Sequence, residues 1–219
     1  MDEVDDAPPL ADVPGPAHRR ARGLSRAPSL PVDEATLASA RLGGRAARES
    51  LLRDLQDPWY RMCLGLLGDP EKARDAVQET AVRFLRQLPG FRGDSLLRTW
   101  SLGIALNVAR EMKRVRAREA PASAVIDAAD LAGSARGLRA GSGAESGPHA
   151  AAEAGEQRDQ LRLMLAHLPD RQREAIVLRF FEELSVEETA MAMNCAPGTV
   201  KATVHQALRA LRQKLKNWA

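Results

Sequence analysis

The sequence predicts an all-α protein: two small helical domains joined by a flexible acidic linker, the second containing a helix-turn-helix. Three observations carry this expectation. Residues 185–209, SVEETAMAMNCAPGTVKATVHQALR, contain a helix start, a helix stop and a second helix start in that order. Elsewhere apolar residues recur at helical spacing, and no segment alternates convincingly as a strand would. Two stretches rich in Ala, Gly, Ser and Pro set the periodic blocks apart, as a tail and a linker would.

Residues 1–45 combine Pro, Ala and Gly with Asp2, Glu3, Asp5 and Asp6, followed by Arg19, Arg20, Arg22 and Arg26. Such a composition buries little apolar surface and reads as a disordered N-terminal tail. The block 46–118 is helical and punctuated by Pro and Gly. Asp57-Pro58 is read as a start, with Trp59, Met62, Cys63, Leu66 and Leu67 leading to Gly68. Asp69-Pro70 starts the next helix, whose Val77, Ala81, Phe84, Leu85 and Leu88 form one stripe before Pro89-Gly90. Pro suits a first helical turn because its missing N–H has no partner there anyway. Glu71, Arg74, Asp75 and Gln78 fall largely on the opposite, exposed side. A loop, FRGDS, leads into a third helix that turns Leu97, Trp100, Ile104, Val108, Met112 and Val115 inward. Its end is basic, with Arg110, Lys113, Arg114, Arg116 and Arg118, and makes a candidate nucleic-acid surface.

Residues 119–155 carry Glu119, Asp127, Asp130, Glu145 and Glu153 against Arg136 and Arg139, which reads as the flexible acidic linker. The second block, 156–217, holds the helix-turn-helix. Ser185 and Glu188 form a capping box, Asn194 suits the left-handed C-cap, and Pro197 opens the following helix. From Val200, the residues Val204, Leu208, Leu211 and Leu215 recur on one stripe. Thr199, Lys201, Ala202, Thr203, His205, Gln206 and Arg209 are thereby turned to other faces. No Asp or Glu occurs after Glu188, so this face is cationic and fits a DNA major groove.

The formal net charge of +3 is small, and its segregation along the chain is more telling than its sum. Cys63 and Cys195 stand far apart without metal-ligand spacing, so neither a disulfide framework nor a zinc site is expected. No apolar run reaches membrane-spanning length and the acidic start is unlike a secretory signal, so a cytoplasmic location is expected. Glu71, Asp75 and Glu79 lie four residues apart without a His, the pattern of an exposed acidic face rather than a metal site. His18, His149 and His167 are scattered, and no nucleophile, base and orienting acid fall into a recognisable motif. No enzyme activity, cofactor or metal is expected.

Together, GDPEKARDAVQET, FRGDSLLRTW with Asn107 beyond it, LPDRQREAIVLRFFEELSVEETA and GTVK resemble a bacterial RNA polymerase sigma factor. The resemblance is to the extracytoplasmic-function (ECF) group of the sigma-70 family, which lacks the large middle domain. It covers 46–118 as a region 2-like domain and 156–217 as a region 4-like domain. It implies a dissociable polymerase subunit that recognises the promoter minus-35 and minus-10 elements and promotes strand opening. By motif position Asp75, Gln78 and Glu79 would face the polymerase clamp helices. Phe91, Arg92, Gly93, Asp94 and Ser95 would pocket an extruded minus-10 base, with Trp100 and Asn107 behind them and Arg110, Lys113 and Arg114 on phosphates. Thr199, Lys201, Thr203, His205, Gln206 and Arg209 would face the minus-35 duplex. Core RNA polymerase and promoter DNA are the implied partners, with an anti-sigma factor as a further one by resemblance. Leu102, Gly103 and Leu106 depart from the family pattern, which commonly has a Tyr and two Arg there. An alternative reading is a conventional helix-turn-helix regulator with a helical sensing domain, since TVK also resembles response-regulator output domains. A nuclease would instead need metal-binding carboxylates or an activated nucleophile beside the basic surface.

Overall fold

The computed structural model describes residues 32–119 and 163–216. Residues 1–31, where most of the expected tail falls, lie outside these, as do 120–162, where the expected linker falls. Among the described residues all regular structure is helical, with α1 at Glu34–Arg41, α2 at Arg45–Leu67, α3 at Pro70–Gln87 and α4 at Leu97–Glu119. The chain continues with α5 at Asp170–Ile176, α6 at Val186–Met193 and α7 at Pro197–Lys216. A single-turn 3-10 helix, Leu88–Gly90, follows α3, and a π turn, Val177–Phe181, follows α5.

Local chemistry explains most of the helix ends. The Asp69 carboxylate accepts from the N–H groups of Glu71 and Lys72, and Gly68 ends α2 in the left-handed conformation at φ 71°. The first block folds around α2, α3 and α4, where Trp59, Met62, Phe84, Leu88, Leu102 and Leu106 are fully buried. Withdrawing side chains of this size from water contributes about 1.5–3 kcal/mol each.

Three expectations are corrected. The stretch assigned to the tail contains α1, because the Asp33 carboxylate caps it through the Thr36 N–H at 2.7 Å and Ala40 is buried. Helix α2 begins at Arg45 rather than at Pro58, which lies inside the helix. The donor Pro58 lacks would have served the carbonyl of Asp54, an exposed residue that water can satisfy. Val115 and Leu215, placed on inward stripes, are each 49% exposed, because α4 and α7 run past the core they cover.

The two helical blocks pack on each other, α4 against α6 and α2 against the π turn. Two glycines sit where the elements approach closely. A Cβ on Gly65 would lie 3.2 Å from Val177 Cγ2, and one on Gly103 would lie 3.5 Å from the Ala192 carbonyl oxygen. Arg173 joins the blocks from below, donating to the carbonyls of Leu165, Ala166 and Leu168 in its own block and of Leu66 in the other.

Candidate nucleic-acid and polymerase interfaces

The helix-turn-helix is assembled by the groups its sequence supplies. Ser185 Oγ accepts from the Glu188 N–H at 3.1 Å, and the Glu188 carboxylate accepts from the Ser185 N–H at 2.7 Å. Asn194 adopts φ 53° and ψ 57°, releasing the chain into the turn before Pro197. Val200 and Ala207 are fully buried and seat α7 on the helices beneath it. That leaves Thr199, Lys201, His205, Gln206 and Arg209 exposed and Thr203 half-buried. The open face is cationic and polar, the chemistry that reaches phosphates and base edges in a major groove.

The FRGDS segment stands on a stack of aromatic rings. Trp59 and Phe84 have centroids 5.4 Å apart, Phe84 and Trp100 5.6 Å, and Trp100 and Phe91 4.9 Å. These tilted contacts are the favourable arrangement for ring quadrupoles. The Trp59 indole donates to Ser101 Oγ at 3.0 Å, and that hydroxyl donates to the Arg98 carbonyl at 2.9 Å. Phe91, expected among the DNA-facing residues, is instead 6% exposed and lies under the loop as its anchor. Arg92, Gly93 and Asp94 are exposed and Ser95 is half-buried, with Gly93 at φ 78°, a conformation that favours glycine. Asn107 is exposed on α4. Leu102 and Leu106, by contrast, are wholly inside.

The basic end of α4 divides in two. Arg114, Arg116 and Arg118 are exposed, whereas Arg110 and Lys113 already hold carboxylates from the second block. Arg110 binds Glu174 with both arms, Nε to Oε1 at 2.8 Å and one terminal nitrogen to Oε2 at 2.7 Å. Lys113 Nζ lies 2.7 Å from Asp170. Burial holds the Lys113 ammonium below its usual pKa against the opposing pull of Asp170. For Asp170, burial is outweighed by Lys113 and Arg173, so its carboxyl sits below the ordinary value.

A second ionic contact lies at the other end of the same surface. Glu182 is fully buried and meets Arg98 at 2.6 Å and Arg61 at 3.3 Å, while Arg98 also donates to the Glu182 carbonyl at 2.8 Å. Burial pushes the Glu182 carboxyl up, and the two guanidinium groups partly offset this. Sequence reasoning missed Arg61, Arg98, Asp170, Glu174 and Glu182. For Asp170, Glu174 and Glu182 the signal was the charge asymmetry of the second block, in which the acidic residues all precede α7.

Asp75, Gln78 and Glu79 lie exposed on α3. Glu79 is engaged by Arg83 at 2.6 Å, and Arg83 also reaches Glu111 at 2.7 Å, leaving Asp75 and Gln78 as the more accessible pair. Cys63 is fully buried and burial pushes its thiol up to about 12, so it is not a nucleophile at neutral pH. Among the described residues no helix is long and apolar enough to cross a membrane.

The described residues thus present a helix-turn-helix behind a helical block that carries an aromatic-backed loop and an exposed polar helix face. The Sigma-70 region 2 model matches residues 51–119 and the Sigma-70 region 4 model matches residues 158–211. The RNA polymerase sigma-H factor of Pseudomonas aeruginosa is 31% identical over 184 residues, covering 84% of this chain and 94% of its own length. The ECF RNA polymerase sigma factor SigW of Bacillus subtilis is 29% identical, covering 80% of this chain and 92% of its own. The ECF RNA polymerase sigma-E factor of Escherichia coli is 34% identical over 65% of this chain and 73% of its own. Among solved structures, the sigma factor RpoE of Bartonella quintana, in complex with the anti-sigma factor NepR, superposes with a TM-score of 0.58 at 26% identity. That likeness covers 77% of this chain and 96% of that one. CnrH, solved with the cytosolic domain of CnrY, gives a TM-score of 0.60 at 21% identity over 86% of this chain and 99% of that one, a likeness of fold. The chain belongs to the ECF group of the sigma-70 family. It binds core RNA polymerase and recognises promoter DNA for transcription initiation, and the reading as a conventional regulator is not favoured.

Proposed function

We propose that three separate surfaces divide the work of initiation. The α3 face, through Asp75, Gln78 and Glu79, docks on core polymerase. The loop residues Arg92, Asp94 and Ser95, with Asn107 beside them, hold the extruded minus-10 base, and Phe91 supports them from below. Arg110, Lys113 and Arg114 hold phosphates there. The α7 face, through Thr199, Lys201, Thr203, His205, Gln206 and Arg209, reads the minus-35 duplex. The observation that carries this reading is the α7 face, one exposed cationic surface on a helix seated by a complete capping box and turn.

The chain acts without chemistry of its own, binds no cofactor, and works in the cytoplasm as a region 2-like domain (46–118) and a region 4-like domain (156–217). The complex of Bartonella quintana RpoE with the anti-sigma factor NepR supports an anti-sigma factor as a further partner of this chain. Reconstituted transcription on a genomic promoter pool tests the reading. Chain-dependent starts are expected, and Asp75→Ala with Gln78→Ala should weaken core binding while the helical circular dichroism stays intact. Loop variants at Arg92 and Asp94 should recover initiation on a template with a premelted minus-10 bubble, because the pocketed base acts only after pairing is lost. Loop variants that open ordinary duplex as fast as the unaltered chain would overturn this assignment.

A further inference from the structure

We propose that Arg83 of α3 is a positioning residue of the minus-10 surface: it neutralises Glu111, a carboxylate that stands among the strand-facing groups of α4, so that this helix can hold a polyanion there. This rests on the reading of α4 as a minus-10 surface, and it adds to that surface a residue from the helix that docks on polymerase.

An acid stands where a strand has to lie. Residues three and four positions apart on a helix are neighbours on one face. Glu111 is therefore flanked by Asn107 one turn before it and Arg114 one turn after it, both exposed. Its own side chain is 46% exposed. A phosphate that reached Asn107 or Arg114 would also meet this carboxylate, and like charges repel. Each unit of charge in reach of a strand enters the affinity and its salt dependence, so an unanswered Glu111 would take one unit away.

The answering charge comes from α3. A terminal nitrogen of Arg83 lies 2.7 Å from Glu111 Oε2, and its Nε lies 2.6 Å from Glu79 Oε1. Glu79 precedes Arg83 by four residues, the favourable order for an acid and a base on one helix. With Nε held there, the planar guanidinium turns its outer edge toward α4. The two helices pack on each other, with Thr80 and Phe84 of α3 and Val108 of α4 buried. Hydrogen bonding to Glu111 is the largest influence on Arg83 and raises its pKa above the already high usual value. As a strap between helices the pair would add little, because part-exposed ion pairs contribute little in water. Its place among groups that meet a polyanion gives it a consequence that strapping does not.

The test forms holoenzyme from the full chain and excess core polymerase, and follows the anisotropy of a labelled single strand, the nontemplate minus-10 segment of a promoter mapped with this chain. Arg83→Met removes the cation and keeps an unbranched stem and a good helix former. Its strand affinity should fall about fivefold at roughly 0.1 M salt, and the slope of log affinity against log salt should shrink by about 0.7, the loss of one charge on a single strand. Glu111→Gln should restore both. The double variant and Glu111→Gln alone should bind within about twofold of the unaltered chain, since Arg83 matters only while Glu111 is charged. Arg83→Gln, which keeps a donor and drops the charge, should repeat the loss where Met disturbs the helices. A double variant as weak as Arg83→Met would overturn the proposal, because Arg83 would then hold the helices or touch the strand itself. So would a salt slope that neither Arg83 variant changes. If the unaltered holoenzyme takes up no strand, the initiation reading falls and the proposal with it, whereas a strand bound equally by every variant sinks the proposal alone.

Discussion

Helices α4 and α7 both carry cationic residues suited to DNA, yet the structure treats them in opposite ways. On α7 the acidic residues of its own block lie elsewhere, and Lys201 and Arg209 stand free of the core. On α4 the cations at Arg110 and Lys113 are matched one for one by carboxylates of the other block. The difference lies in which surface the fold can reach. α7 buries Val200 and Ala207 and so fixes its charged side outward, whereas α4 is long enough to pack its own core and still offer a side to a neighbour. Of two basic helices, one thus presents its cations free and the other presents Arg110 and Lys113 already paired.

The largest way to break the comparison is Phe84→Ala. Phe84 is fully buried between Trp59 and Trp100, and removing such a ring costs about 3–5 kcal/mol. Denaturant titration should show that loss, together with impaired minus-10 capture, while binding to a minus-35 duplex persists at temperatures where the variant stays folded. A smaller effect sharpens the contrast between the two cationic sets. Lys201→Ala with Arg209→Ala should lower duplex affinity about tenfold and reduce the slope of log affinity against log salt by about 2, as expected for losing two phosphate-range cations. Arg110→Ala with Lys113→Ala should weaken duplex binding less, because those cations are already spent on Glu174 and Asp170. Fluorescence anisotropy across a salt series measures both.

The smallest effect concerns acid. The folded-state pKa of Asp170 is depressed below its ordinary 3.8, so its contribution is present above that value and is lost as pH falls through the folded pKa. Lys113 and Arg173 are the charges that face it. The unaltered chain should therefore lose melting temperature below pH 3.8 more steeply than Asp170→Asn. Identical slopes would remove Asp170 from the acid response.

Much of the second block was legible because its determinants are local. A capping box, a left-handed Asn and a first-turn Pro all act within four residues, and each operates in the structure as its residue type requires. The start of α2 was not legible for the converse reason. Gly44 supplies no side-chain cap, so nothing local marks it, and the conspicuous Asp57-Pro58 pair drew the boundary to the wrong place. The inward stripes were right in their middles and failed at Val115 and Leu215, where periodicity continues beyond the helices that would cover it. The exposed site residues of α3 and α7 followed from which face was polar. The inward turn of Phe91 depends on how its ring meets Trp100 across the loop, and the pairing of Arg110 with Glu174 on contact between distant parts of the chain, neither of which helical spacing encodes.

The aromatic stack under the loop also gives the molecule a native optical signal. Of the chain's three tryptophans, Trp59 is fully enclosed and Trp100 is half-buried with its ring against Phe91. On the proposed role of the loop, a nucleobase held there comes near the half-buried Trp100 and should change its emission more than that of the enclosed Trp59. Titrating unlabelled protein with single-stranded DNA should therefore show strand capture as a change in its own tryptophan emission.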